Sequence, residues 1–146
     1  MTSTRPTLIL ASTSRYRREL LERLRMPFEV HAPEVDETPH AGEAPAALAQ
    51  RLALAKARAV ASAWPDAVVI GSDQVADLDG TPIGKPGTHA RAVEQLRAMR
   101  GRSIVFQTAV AVLRGSTGYA GAALAPVTVR FRNLSDAEIE HYLRTE

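Results

Sequence analysis

An α/β fold is predicted for this chain, and three features of the sequence predict it. The apolar runs TLILAS (residues 7–12) and AVVIG (67–71) have the length and composition of buried strands. Segments with helical spacing follow the first of them and precede the second. The later part of the chain carries strands joined by Gly-containing turns, so the order is mixed, with hairpins, rather than a strict βαβ repeat.

After the first strand, Ser12 and Ser14 offer hydroxyl N-caps to RYRRELLERLRM, in which Leu20, Leu21 and Leu24 form an apolar face. Pro27 closes that helix, and FEVHA reads as a second strand. PEVDETPHAGEAP (33–45) is acidic and punctuated by proline, hence a loop. Residues 44–64 are rich in alanine with Leu48, Leu52 and Ala55 in helical spacing, a long helix that Pro65 ends. The strand at 67–71 leads into VADLDGTPI, a hairpin whose Asp79-Gly80 pair supplies positive φ angles. A GKPG loop precedes a helix over 88–100, capped by Thr88 and stopped by Gly101. SIVFQTAVAVLR and APVTVRFR are two strands across a Gly/Ser turn. The second alternates Val127, Val129 and Phe131 against Thr128, Arg130 and Arg132. Ser135 and Glu138 form a capping box for SDAEIEHYLRTE. With no internal repeat or linker, residues 1–146 are expected to form one domain.

Composition narrows the chemistry. Hydrophobic residues make up 45% of the 146, enough for one packed core, and charged residues 23%. There is no cysteine, which removes disulfides, thiolate metal sites and a cysteine nucleophile. No apolar run suits a secretion signal or a membrane span, so a cytoplasmic protein with no membrane partner is expected. The net charge of +2 comes without a Lys/Arg block, and aromatics are only 5%. That suits an anionic small molecule better than a nucleic acid, and no nucleic-acid partner is expected. Of the 18 basic residues only Lys56 and Lys85 are lysine. In so arginine-biased a chain, a retained lysine suggests a need for a compact ammonium, as against phosphate oxygens.

Four segments could carry chemistry. STSRYRR (12–18) lies between a strand and a helix N-terminus, where free N–H groups, Ser12, Ser14, Arg17 and Arg18 favour an anion. The same residues also describe a capped helix with a solvated basic face, and the glycines of a P-loop are absent. PEVDET supplies Glu34, Asp36 and Glu37, oxygen ligands of the kind Mg²⁺ or Mn²⁺ takes, or simply a solvated acidic loop. Asp73 follows a buried strand at its C-terminal end, where α/β folds place ligands; it could bind a metal, take a proton from water or cap a turn. Beside it, Gln74 can donate and accept, as reading a base edge requires. Gly84-Lys85-Pro86 holds an ammonium between two residues that fix the backbone. His31, His40, His89 and His141 have no metal-ligand spacing, and the serines have no His/Asp partners in a recognisable triad.

In order along the chain, LILASTSRYRRELL, APEVDETP, LALAKARA, VVIGSDQV, GKP and VRFRNLSDAEIEHYL resemble the Maf family of nucleoside triphosphate pyrophosphatases. The resemblance implies a Maf/ITPase-like two-lobed fold, an elongated mixed sheet flanked by helices with a central cleft. It implies hydrolysis of a nucleoside triphosphate to monophosphate and pyrophosphate with a divalent cation, Mg²⁺ or alternatively Mn²⁺, and a homodimer. Matched by position, Asp73 is the family's proton acceptor, Arg17, Lys56 and Lys85 its phosphate contacts, and Ser12 and Glu34 its polar cleft positions; Ser12, Ser14 and Arg18 are expected to join the phosphate contacts, and Glu34 with Asp73 to hold the metal. Tyr16 ahead of the arginine pair, and SDQ rather than ADT, resemble the YceF-like branch, whose substrate is 7-methyl-GTP. Its cationic base would attract an aromatic face, so Tyr16 and Gln74 are expected to read it. Arg15 stands where the family usually has Pro, and Tyr16 where that branch commonly has Trp. The family continues past the position of Glu146 into an AG-rich stretch, an EG-G segment and a GLPL motif, none of which is among these residues. Two other activities fit the resemblance: a nucleotide-binding regulator with little turnover, and a dTTP/UTP pyrophosphatase.

Overall fold

The computed structural model describes residues 5–84 and 86–145. Ten elements follow one another: β1 (Leu8–Ala11), α1 (Arg15–Glu22), β2 (Glu29–His31), α2 (Pro45–Ala61), β3 (Val68–Leu78), β4 (Thr81–Ile83), α3 (His89–Met99), β5 (Ser103–Arg114), β6 (Tyr119–Arg130) and α4 (Asp136–Thr145). A single 3₁₀ turn at Gly115–Thr117 joins β5 to β6. The six strands form one mixed sheet in the order β2-β1-β3-β5-β6, with β4 paired to the far part of β3. β1 is parallel to β2 and β3, whereas β4 and β5 run antiparallel to β3.

Local chemistry explains most boundaries. Ser14 caps α1, its Oγ accepting the Arg17 N–H, and Thr88 caps α3 in the same way through the Arg91 N–H. Ser135 and Glu138 exchange the two hydrogen bonds of a capping box at the start of α4. Pro45 occupies the first turn of α2, where its missing N–H costs nothing. Asp79 and Gly80 turn the β3–β4 hairpin with φ of 50° and 87°, the pattern of a type I′ turn.

One core lies between α2 and the sheet. Leu48, Ala49, Leu52, Ala53, Ala57 and Val60 of α2 are buried against Ile9, Ala11, Val69, Val75, Ala109 and Ala111. Small side chains on both surfaces let the helix come unusually close. At Gly71 a Cβ would stand 2.2 Å from the Ala53 carbonyl oxygen and 2.6 Å from the Ala57 nitrogen, so only glycine fits beneath the helix. Met99, Ile104 and Ile139 are buried outside that cluster. There α3 and α4 are tied together by Arg97 and Arg100 on Asp136 and by His89 on Glu140.

Three expectations need correction. The strand predicted to stop at Gly71 continues as β3 to Leu78, because β5 pairs with it from Val69 to Asp77. β6 begins at Tyr119 rather than Ala125, again because pairing with β5 extends the ladder to the turn. The apolar face predicted for α1 is only partly covered: Leu20 is 38% and Leu24 61% exposed. Among the described residues no helix is long and apolar enough to cross a membrane.

Candidate active site

β3 is covered on its two edges by different partners, and this decides where chemistry can occur. On one side β5 pairs with it almost throughout. On the other, β1 pairs up to Gly71 and β4 begins only at Ala76. Among the described residues, Ser72 to Val75 therefore have no strand on that edge. The open stretch lies where the parallel strand β1 ends and the chain turns into α1, a position at which α/β sheets bind ligands.

Alternation along β3 sends Val69, Gly71, Asp73 and Val75 toward α2 and Ile70, Ser72 and Gln74 toward the opposite face. Asp73 is 7% exposed, a buried carboxylate that needs a partner. It has one: Asp73 Oδ1 accepts from Lys56 Nζ at 2.9 Å. Lys56 projects from α2 at the turn between Ala53 and Ala57, so the close approach over Gly71 brings the ammonium within reach of β3. The same ammonium also lies 3.0 Å from Glu37 Oε1. Two carboxylates thus converge on one lysine whose side chain is largely buried.

Glu37 is the site residue that sequence reasoning passed over in favour of Glu34. Glu34 is exposed, and among the described residues no ion pair or hydrogen bond joins it to Asp73 or Lys56. The loop is instead fixed around Glu37. Asp36 accepts from both the Thr38 hydroxyl (2.6 Å) and the Thr38 N–H (3.0 Å), and these two bonds lower its pKa. Arg51 of α2 donates to the Thr38 carbonyl and makes a two-pronged pair with Glu43 at 2.7 and 2.9 Å. That fork, helped by the His40 N–H, holds the Glu43 carboxyl down at about 2 and raises the Arg51 pKa. No signal in the sequence singles out Glu37 over Glu34; the contact with Lys56 is made by the fold.

The remaining predicted residues divide into those near the open edge and those away from it. Ser12 is buried at the end of β1; its N–H donates to the His31 carbonyl and its Oγ accepts the Ser14 N–H at 2.9 Å. Ser12, Ser14 and the first turn of α1 thus form one hydrogen-bonded bend at the tip of β1. Arg17 is half-buried and lines a groove of about 250 Å³ with Leu10, Leu21, Ile70 and Ser72, on the sheet face that Gln74 shares. Arg18 is exposed and paired with Glu22 at 3.3 Å. Tyr16 is 68% exposed, without an aromatic partner among the described residues. Gln74 is exposed, and its Nε2 donates to Thr108 Oγ1 at 2.9 Å. Lys85 lies outside the described residues. A groove of about 700 Å³ between β6 and α4, beside Phe131 and Tyr142, contains none of these groups.

Among the described residues no three His, Asp or Glu side chains form a ready-made metal cage. The donor set is the pair Asp73 and Glu37, gathered at one point by Lys56. One or two carboxylates completed by phosphate oxygens and water is the usual way Mg²⁺ is held, so this pair fits such an ion.

Comparison with known proteins places the chain among its relatives. A family model described as "Maf-like protein" matches residues 7–146. The chain is 66% identical over 146 residues to a protein of Polaromonas sp. (strain JS666 / ATCC BAA-500) named 7-methyl-GTP pyrophosphatase, covering 100% of this chain and 67% of that one. It is 68% identical over 139 residues to a protein of the same name from Albidiferax ferrireducens, covering 95% and 70%. Among solved structures, the Staphylococcus aureus Ham1 protein superposes with a TM-score of 0.61 at 16% identity, over 87% of this chain and 72% of that one. A HAM1 protein from Coxiella burnetii gives 0.61 at 19% identity, over 89% and 75%. At that identity the structural likeness establishes the fold alone.

Proposed function

The chain belongs to the Maf family, and from that premise we propose that it hydrolyses 7-methyl-GTP to 7-methyl-GMP and pyrophosphate. The observation that carries this reading is the Asp73–Lys56–Glu37 cluster beside the open stretch of β3, within a strand's end of the serine bend. A triphosphate lying across that open edge would meet Lys56 on the α2 face and Arg17 on the opposite face, together with the N-terminus of α1. Lys85, which lies outside the described residues, is proposed as a further phosphate contact.

With Oδ1 held by Lys56, Asp73 keeps Oδ2 to orient the attacking water. The water oxygen bonds to the α-phosphorus, its proton passes to the Asp73 carboxylate, and the bond from the α-phosphorus to the α,β-bridging oxygen breaks. The leaving group is pyrophosphate, whose charge Lys56 and the arginine side chain offset. Asp73 and Glu37 are also the residues that would hold a divalent cation, with Glu37 taking the part expected of Glu34. Such an ion, when bound, neutralises phosphate charge.

Substrate choice is assigned to Tyr16 and Gln74. The exposed Tyr16 ring is free to stack on a purine, and N7-methylation gives that purine the positive charge an aromatic face attracts. Sequence identity of 66–68% to proteins named 7-methyl-GTP pyrophosphatase supports the same base.

Pyrophosphate release from 7-methyl-GTP, GTP, UTP and dTTP with Mg²⁺, measured beside Asp73→Asn, tests the proposal. Release from 7-methyl-GTP, reduced by about 10²-fold or more in Asp73→Asn, is expected. Nucleotide binding without release would favour a binding protein, and release from UTP and dTTP but not 7-methyl-GTP would move the chain to another branch. An unimpaired Asp73→Asn would remove Asp73 from the mechanism.

A further inference from the structure

Between β2 and α2 the chain runs through residues 32–44 without helix or strand. The part of it that carries Glu37 is nevertheless anchored on both sides. Before Glu37, Val35 packs against the core. After it, the Thr38 carbonyl accepts from Arg51 Nη2 at 3.1 Å. Asp36 Oδ1 closes the bend between them, accepting from the Thr38 N–H and hydroxyl. Glu37 is thereby bracketed, with its Oε1 3.0 Å from Lys56 Nζ.

The Arg51 guanidinium can serve as an anchor because it is itself fixed. Its Nε and Nη2 donate to the two oxygens of Glu43 at 2.7 and 2.9 Å, and that carboxylate side chain is only 10% exposed. Glu43 Oε1 also accepts the His40 N–H at 3.0 Å. One side chain of α2 therefore ties down the loop at Thr38 and Glu43 directly and at His40 through Glu43. A two-pronged pair fixes orientation as well as distance, which a point charge does not. Among the described residues Arg51 has no ion pair or hydrogen bond with Asp73 or Lys56. Lys56 lies five residues on, about 7.5 Å further along the helix axis.

We infer that Arg51 is a positioning residue for the cation site: by pinning the loop to α2 it holds the Glu37 carboxylate where, with Asp73, it takes a divalent ion. The inference rests on the reading of Asp73 and Glu37 as the residues that hold that ion. Groups that orient metal ligands without touching the metal commonly change its affinity by about 10–100-fold when removed. Charge alone predicts the opposite sign. Arg51 is a cation near a cation site, so removing it would strengthen metal binding if electrostatics were its whole effect. A weakened site therefore reports placement of Glu37.

The probe is Mn²⁺ alone, titrated into nucleotide-free protein and followed by electron paramagnetic resonance. Such a titration separates the number of sites from their affinity, so any loss of folded protein lowers the first and not the second. Arg51→Met should weaken Mn²⁺ binding about tenfold, and Glu37→Gln at least as much. Arg51→Lys keeps the charge but not the two-pronged geometry; it should weaken binding severalfold and takes the place of Arg51→Met if that variant does not fold. Glu37→Gln/Arg51→Met should match Glu37→Gln within about twofold, because Arg51 acts through the carboxylate already lost. If Glu37→Gln is weakened while the Arg51 variants bind as tightly as the parent or more tightly, the role of Arg51 is overturned and the Glu37 reading stands. A double variant about tenfold weaker than Glu37→Gln overturns it as well, since the two losses are then independent. If Glu37→Gln binds Mn²⁺ like the parent, or the parent binds none, the cation reading fails and the inference with it.

Discussion

Replacing Gly71 with alanine tests how the site is assembled, because Gly71 is where helix and sheet come closest. An added Cβ would lie 2.2 Å from Ala53 O, 2.6 Å from Ala57 N and 2.9 Å from Ala57 Cβ. Ordinary contact begins near 3.4 Å, so α2 must retreat by about 1.2 Å at its nearest point. Two of the three obstructing atoms are backbone, and no change of rotamer moves them. Overpacking of this kind costs about 1–3 kcal/mol, more when backbone must shift, and the retreat also loosens Leu52, Ala53 and Ala57 from the sheet. The expected loss is about 3 kcal/mol, a drop of roughly 10 °C in Tm for a chain of this size. Lys56 sits between the two obstructing residues, so its ammonium leaves Asp73 and nucleotide affinity falls as well. Urea denaturation and a titration with 7-methyl-GTP measure both effects. Gly84→Ala serves as the stability control, since a Cβ there meets nothing within 4 Å. Gly71→Ala with stability within about 0.5 kcal/mol of the parent and unaltered affinity would refute the argument that close helix–sheet approach builds the site.

Two further outcomes follow from the ion pairs. Lys56→Met strands the buried Asp73 carboxylate and should cost about 3 kcal/mol in urea denaturation, while Lys56→Met/Asp73→Leu should recover most of that stability but no pyrophosphate release; a single variant as stable as the parent would mean the pair is not structural. The Glu43 carboxyl, held at about 2 by Arg51 and His40 against an ordinary 4.5, stabilises the fold fully above 4.5 and progressively less as pH falls toward 2. A plot of Tm against pH should therefore fall more steeply over that interval in the parent than in Glu43→Gln; parallel curves would show that the latch contributes nothing.

Much of the fold could be read from local chemistry. Ser14, Thr88 and the Ser135/Glu138 box mark helix starts because their hydroxyls satisfy N–H groups a few residues away. Asp79-Gly80 marks the hairpin because its backbone angles are strained for most other residues. The ends of β3 and β6 were missed for a shared reason. A strand's length depends on its partner's length, and β5 lies some thirty residues further along the chain from β3. The polar Ser72-Asp73-Gln74 looked like the end of a strand because each residue was judged without its neighbour across the sheet. In the folded chain Ser72 Oγ donates to the Ala109 carbonyl, Asp73 is met by Lys56 and Gln74 by Thr108.

By itself the sequence determined the chain's family and its α/β class, because caps, turns and motif order are local properties. It also singled out Lys56 and Asp73. Only the tertiary structure decided that these two form a pair, that Glu37 joins them instead of Glu34, and that Asp73 and Gln74 face opposite sides of β3. Each of those facts depends on distances between segments far apart in the chain. The physical cause is the contact at Gly71: where a missing side chain lets α2 lie against the sheet, an ammonium on the helix reaches a carboxylate on the strand.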